Sequence, residues 1–89
     1  MNYFEIQPIE ISINNPFDFK NIVAIKWTAI DVPRGDNNPS TFNCILVDEN
    51  QIDVYNWQIQ IPATVVNTWL DDSVIDNYIC SIDSRFVKV

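Results

Sequence analysis

The residues in this sequence that could do chemistry are carboxylates, two cysteines and a group of aromatics. Asp71, Asp72 and Asp76 lie close enough to converge at the start of a helix, where a pair of aspartates can hold a cation or act as acid and base. A helix start also selects such residues on its own account. An aspartate there caps exposed N–H groups, and its charge suits the positive end of the helix dipole. Capping and a solvated helix end are therefore the expectation for Asp71, Asp72 and Asp76, with Asp71 and Asp72 also candidates for a protein contact. Cys44 and Cys80 lie far apart in apolar patterns with no CxxC pair, so they read as buried reduced thiols, with a disulfide between them as the alternative, rather than as a zinc site or an activated thiolate. The chain has no histidine and one glycine, which excludes histidine triads, histidine metal sites and glycine-rich phosphate loops. No catalytic residue, cofactor or metal is assigned, and an enzyme would need a carboxylate-only mechanism.

Two loops carry suggestive spacings. Asp48-Glu49-Asn50-Gln51-Ile52-Asp53 has the opening acids of a calcium loop. It lacks glycine at the sixth position and has Ile59 where the closing glutamate belongs, so a hairpin turn is expected instead. Arg34-Gly35-Asp36, the tripeptide of integrin-binding loops, sits in the polar stretch 31–40 between Pro33 and Pro39. With nothing extracellular in the sequence to support that chemistry, Arg34 and Asp36 are expected to serve some other contact through a protruding loop.

The aromatic load is heavy for so short a chain. Trp27 and Trp69 suit a core, whereas Tyr55 and Trp57 are candidates for a protein contact, because aromatics anchor interfaces as well as interiors.

These groups must be held by elements readable from periodicity. Tyr55, Trp57, Ile59 and Ile61 alternate with Asn56, Gln58 and Gln60, the pattern of a half-buried strand, and Pro62 ends it. Upstream, Ile52 and Val54 point to the other side, so the apolar face switches in mid-strand, either through a bulge or because the strand leaves one packing environment for another. Residues 4–13 form a strand whose Pro8 calls for an edge position or two short segments. Residues 21–30 are apolar on both faces, which suits a central strand. Val23, Ile25, Trp27 and Ala29 form one face, and Ile22, Ala24, Lys26, Thr28 and Ile30 the other. Residues 41–47 and 51–61 form a hairpin about Asp48-Glu49-Asn50, and Asn14-Asn15-Pro16 marks a turn.

After Pro62 the period becomes helical. Val65, Val66, Trp69 and Leu70 fall on one face, while Val74, Ile75, Tyr78, Ile79 and Ile82 fall about opposite, so two short helices broken at Asp71-Asp72-Ser73 are expected rather than one. Residues 84–89 could add a last short strand. The fold class is α+β: a small antiparallel sheet of four to five strands with a two-helix unit near the C-terminus packed on one face, in a single domain of residues 1–89.

Composition bounds the function. Residues 1–40 carry five acids and three bases, net −2, and residues 41–89 carry seven acids and two bases, net −5, giving −7 for the chain. That charge repels phosphate backbones, so direct nucleic-acid binding is not expected. No apolar run reaches membrane-spanning length and no basic region followed by an apolar block marks a signal peptide, so the expected setting is the cytoplasm or a particle assembled there.

The segment Ile61–Ile82 resembles a pattern in small structural and assembly proteins of tailed phages: an Ile-Pro start, a helix, a Trp, an acidic pair and a closing aromatic-aliphatic helix. The matching positions are Ile61, Pro62, Val65, Trp69, Asp71, Asp72, Val74, Ile75 and Tyr78, within about a quarter of the chain, and Leu70 stands where that pattern has glycine. The resemblance implies a virion or assembly component and assigns no active-site residue. Together these readings lead to a non-enzymatic module that binds protein, either further copies of itself or other virion proteins. Its rival is a small acidic inhibitor or nucleic-acid mimic with a basic partner.

Overall fold

The alternating stretches become four strands, β1 (Asn2–Ser12), β2 (Phe19–Asp31), β3 (Ser40–Asp48) and β4 (Asp53–Ile61), followed by two helices, α1 (Ala63–Val66) and α2 (Ser73–Ile82). The structure is a computed structural model and describes residues 2–12, 19–33 and 37–89. Ile13, the Asn14-Asn15-Pro16 turn and Arg34-Gly35-Asp36 therefore lie outside the described residues. Each strand pairs antiparallel with its neighbour in sequence, giving the order β1-β2-β3-β4. This is the expected α+β fold with four strands. The expected fifth, over 84–89, is a single bridge between Lys88 and Ile6 on the outer edge of β1.

Irregularities in pairing fall where the sequence strains the ladder. In β1 the register shifts between Glu5 and Ile9, a stretch that contains Pro8, and β1 is an edge strand as that proline requires. In β4, Leu46 faces Tyr55 but Val47 faces Asp53, so Val54 is the extra residue of a bulge, the first of the two causes open for the face switch. Gln51 and Ile52 belong to the turn rather than to β4. There Asp48 accepts the N–H groups of Asn50 and Ile52, both at 2.9 Å, and Gln51 adopts φ 67°. β2 corrects one expectation. A shift between Ile22 and Ala24 makes Val23 the odd residue, so Ile22 joins Ile25 and Trp27 while Val23 joins Ala24 on the opposite face.

One face of the sheet holds the main core, in which Phe4, Ile6, Ile25, Trp27, Phe42 and Leu46 meet Ile75 and Ile79 of α2. Trp27, Phe42 and Trp69 form a triangle of rings with centroids 5.6 to 5.7 Å apart, in which the two tryptophans meet edge to face and Phe42 is tilted against both. The other face carries only the small cluster Ala24, Ile45 and Val47, with Val23 beside it.

The two helices are separate, as the opposed apolar faces require. Pro62 caps α1 with its carbonyl, which accepts from Val65 and Val66 at 3.0 and 3.1 Å. Val65, Val66 and Trp69 pack on the core, but Leu70 does not. It is 94% exposed, because the chain turns after Trp69 before α2 begins. Ile82, expected on the buried face of α2, is half exposed, and Asp76 lies inside that face.

Candidate interaction surface

The two layers differ in length. The thirteen residues of β2 extend roughly 40 Å as a strand, while the ten residues of α2 rise about 15 Å. A helical layer that short covers part of the sheet face only, consistent with a molecule measuring 46 × 24 × 22 Å. At the uncovered end a groove of about 560 Å³ opens beside the C-terminal end of α2.

Its apolar floor comes from Ile11 of β1, Leu46 of β3 and Tyr55 and Trp57 of β4, and its far wall from Ile82 and Phe86. The aromatics form a row: Tyr55 and Trp57 have centroids 5.9 Å apart, and Trp57 and Phe86 6.4 Å apart, with planes inclined by 33° and 32°. Tyr55 and Ile82 are about half exposed. Glu10, Asp83 and Arg85 supply the polar rim. Arg85 forks onto Asp83, donating at 2.7 Å from one terminal nitrogen and at 3.1 and 3.2 Å from Nε, and its backbone N–H donates at 2.9 Å. These bonds hold the Asp83 carboxyl down to about 2.

Beside the groove runs the outer edge of β4, with which no strand pairs among the described residues. Residues 54–61 of that strand carry no charge. Its one charged residue, Asp53, is bound by Lys26 of β2 at 2.8 Å on the sheet face away from the helices. The outer edge of β1, by contrast, is partly paired: Gln7 N–H donates to Val87 O at 2.7 Å and Val89 N–H to Glu5 O at 3.1 Å.

Of the residues marked by the sequence, Tyr55 and Trp57 come together in the groove. Asp71 and Asp72 stand at the opposite end of α2 and do not join them. Asp71 accepts from the Ser73 N–H at 2.8 Å and from the Ser73 hydroxyl, bonds that lower its pKa. Asp72 occupies the N-cap position, but its side chain accepts from Trp69 Nε1 at 3.2 Å instead of capping the helix. Asp76 does not converge with them. Its Oδ1 accepts from Trp27 Nε1 at 2.7 Å and its Oδ2 from Lys88 Nζ at 3.0 Å. Its place between Ile75 and Ile79 was the available signal, since a residue one turn from a buried isoleucine shares its face. Phe86 and Arg85 were not marked as site residues, and Asp83 only as one carboxylate of the acidic reading.

The thiols are inert by position. Burial pushes Cys44 up to about 12, and burial, with Asp76 adding to it, also raises Cys80. Among the described residues no helix is long and apolar enough to cross a membrane. No protein-family model, curated protein or solved structure matches this chain.

Proposed function

We propose that this chain is a non-enzymatic structural or assembly module, of the tailed-phage structural class that its Ile61–Ile82 segment resembles, and that it acts through protein–protein contacts along β4. The observation that carries this reading is the pairing of an open, uncharged strand edge with an aromatic row at its side. Natural sheets ordinarily protect an edge with lysine, proline or a covering segment, because its free N–H and C=O groups invite another strand. Residues 54–61 have none of the first two. The aromatic row adds contact area of the kind that anchors interfaces.

The rival, an acidic inhibitor or nucleic-acid mimic, needs a continuous acidic surface. Of the seven carboxylates of residues 41–89, Asp48 and Asp76 are buried, Asp53 is engaged by Lys26, and Asp83 by Arg85. That leaves Glu49, Asp71 and Asp72 for an acidic surface, which favours the assembly reading. Light scattering on the purified chain during size exclusion, across concentration and salt, tests it. A defined oligomer that survives high salt is expected, since apolar and main-chain contacts are not screened as surface charges are. A strict monomer under every condition would overturn it in favour of the acidic reading.

A further inference from the structure

We infer that the occupant of the β4 edge is β4 of a second copy of this chain, paired antiparallel about a two-fold axis perpendicular to the sheet. The inference rests on the assembly reading and names its partner.

Charge comes first. Each copy carries −7 in all, and like charges placed opposite each other across a strand pair are destabilising. A copy can approach itself only through a surface from which the acids are absent. Residues 54–61 are such a surface, and Asp53 at the end of the strand is already matched by Lys26. A partner selected by basic charge would find nothing on this seam to recognise.

Pattern comes second. In a two-fold antiparallel pair, a residue on the axis faces its own copy, so directly opposed residue numbers always add to an even sum. Odd residues then face odd residues and even face even, in whichever register the strands settle. With the axis at Trp57, Tyr55 stands opposite Ile59 of the second copy and Asn56 opposite its Gln58. With the axis at Gln58, Trp57 stands opposite Ile59 and Asn56 opposite Gln60. Either way the apolar row Tyr55, Trp57 and Ile59 continues across the seam on the helix side. On the other side the amides of Asn56, Gln58 and Gln60 meet amides. An amide both donates and accepts, so identical side chains satisfy each other where identical charges could not. An axis normal to the sheet also keeps both helical layers on one side, which brings the two aromatic grooves onto a common face.

The test uses the full chain and two variants with the same change of charge. Gln58→Lys sets like charges close to the axis on an exposed position of β4, and Asn77→Lys makes the same change of charge on the exposed side of α2, off the β4 edge. Mass is read by light scattering, fold by circular dichroism, and the β4 amides by hydrogen exchange at low and high protein concentration. The expected result is a dimer whose dissociation constant rises about tenfold or more in Gln58→Lys. Asn77→Lys leaves it intact, and β4 amides in the parent chain are slowed only at high concentration. An oligomer of unchanged mass in a folded Gln58→Lys would overturn the β4 seam while leaving the assembly reading in place. A parent chain that stays monomeric would overturn both.

Discussion

The indole N–H of Trp27 donates to Oδ1 of Asp76 at 2.7 Å, joining the central strand to the second helix across 49 positions of sequence. Lys88 holds the other oxygen at 3.0 Å, and its ammonium also lies 5.9 Å from the centre of the Phe4 ring. One carboxylate thus ties strand, helix and C-terminal tail together at a site where it is 8% exposed. A buried carboxylate is tolerated only when its oxygens are occupied, and both are.

Removing members of this group is expected to rank in a fixed order. Asp76→Ala leaves the buried Trp27 N–H without an acceptor and should cost about 2–3 kcal/mol. Trp27→Phe leaves the carboxylate with Lys88 alone and should cost about 1–3 kcal/mol. Lys88→Met leaves Oδ2 of the buried Asp76 without its partner and should cost about 1–2 kcal/mol. Urea denaturation followed by circular dichroism gives the three values, and a Lys88→Met loss as large as that of Asp76→Ala would contradict the ranking.

The β3–β4 turn holds Gln51 in the left-handed region at φ 67°. A residue with a Cβ is held there at roughly 1–2 kcal/mol of steric cost, which glycine avoids while losing more chain entropy on folding. Gln51→Gly is therefore expected to raise stability by up to about 1 kcal/mol, or several degrees in Tm for a chain of this size. Gln51→Val should lower it.

Asp83 titrates near 2 because Arg85 donates to it, well below its ordinary 3.8. A folded-state value below the unfolded one means that the contribution is fully present above about pH 4 and is lost as the pH falls through about 2. Asp71, lowered by Ser73, acts in the same direction. Carboxyl chemical shifts should place the Asp83 midpoint near 2 in the parent chain and higher in Arg85→Met, short of its ordinary value because the backbone N–H of residue 85 still donates to it. An unmoved midpoint would show that Arg85 is not its cause.

The thiols respond at the other end of the scale. Cys44 is neutral in the folded chain up to about pH 12, whereas an unfolded cysteine ionises near 9. Its contribution to stability is present below pH 9 and is lost as the pH rises from there toward 12. At neutral pH Cys44 should react with a thiol reagent only as fast as the chain opens, with Cys80 reacting first because it is the less buried. Rapid labelling of both in the folded chain would contradict the burial of Cys44.

Much of the fold was legible because one-sided burial leaves a period in the sequence. The alternation from Tyr55 to Ile61 marks β4, Pro8 marks an edge, the face change near Val54 marks a bulge, and the opposed faces around Trp69 and Ile75 separate the helices. What failed lies where the period is silent. Ile22 and Val23 are both apolar, so nothing in sequence says which of them a bulge turns inward. Leu70 completes a helical face by number alone, but α1 stops at Val66 and a tight turn carries it into solvent. Asp76 is inward because its partners are Trp27 and Lys88, which no local window contains. Tyr55 and Trp57 were marked in the sequence as candidate contact residues, but the groove that they line was not legible there. It arises from the mismatch in length between sheet and helices, and its outer wall is Phe86, delivered from beyond α2.

The two edges of the sheet are not alike, and that asymmetry sets how far an assembly can propagate. The tail occupies part of β1 through the bonds from Gln7 to Val87 and from Val89 to Glu5, so an incoming strand finds one vacant side and one occupied side. A sheet open at both margins could stack head to tail without limit into a fibre, whereas one stoppered at β1 admits a single addition and then terminates. In the proposed assembly residues 86–89 would act as a chain stopper, and their removal would open the β1 edge to further copies.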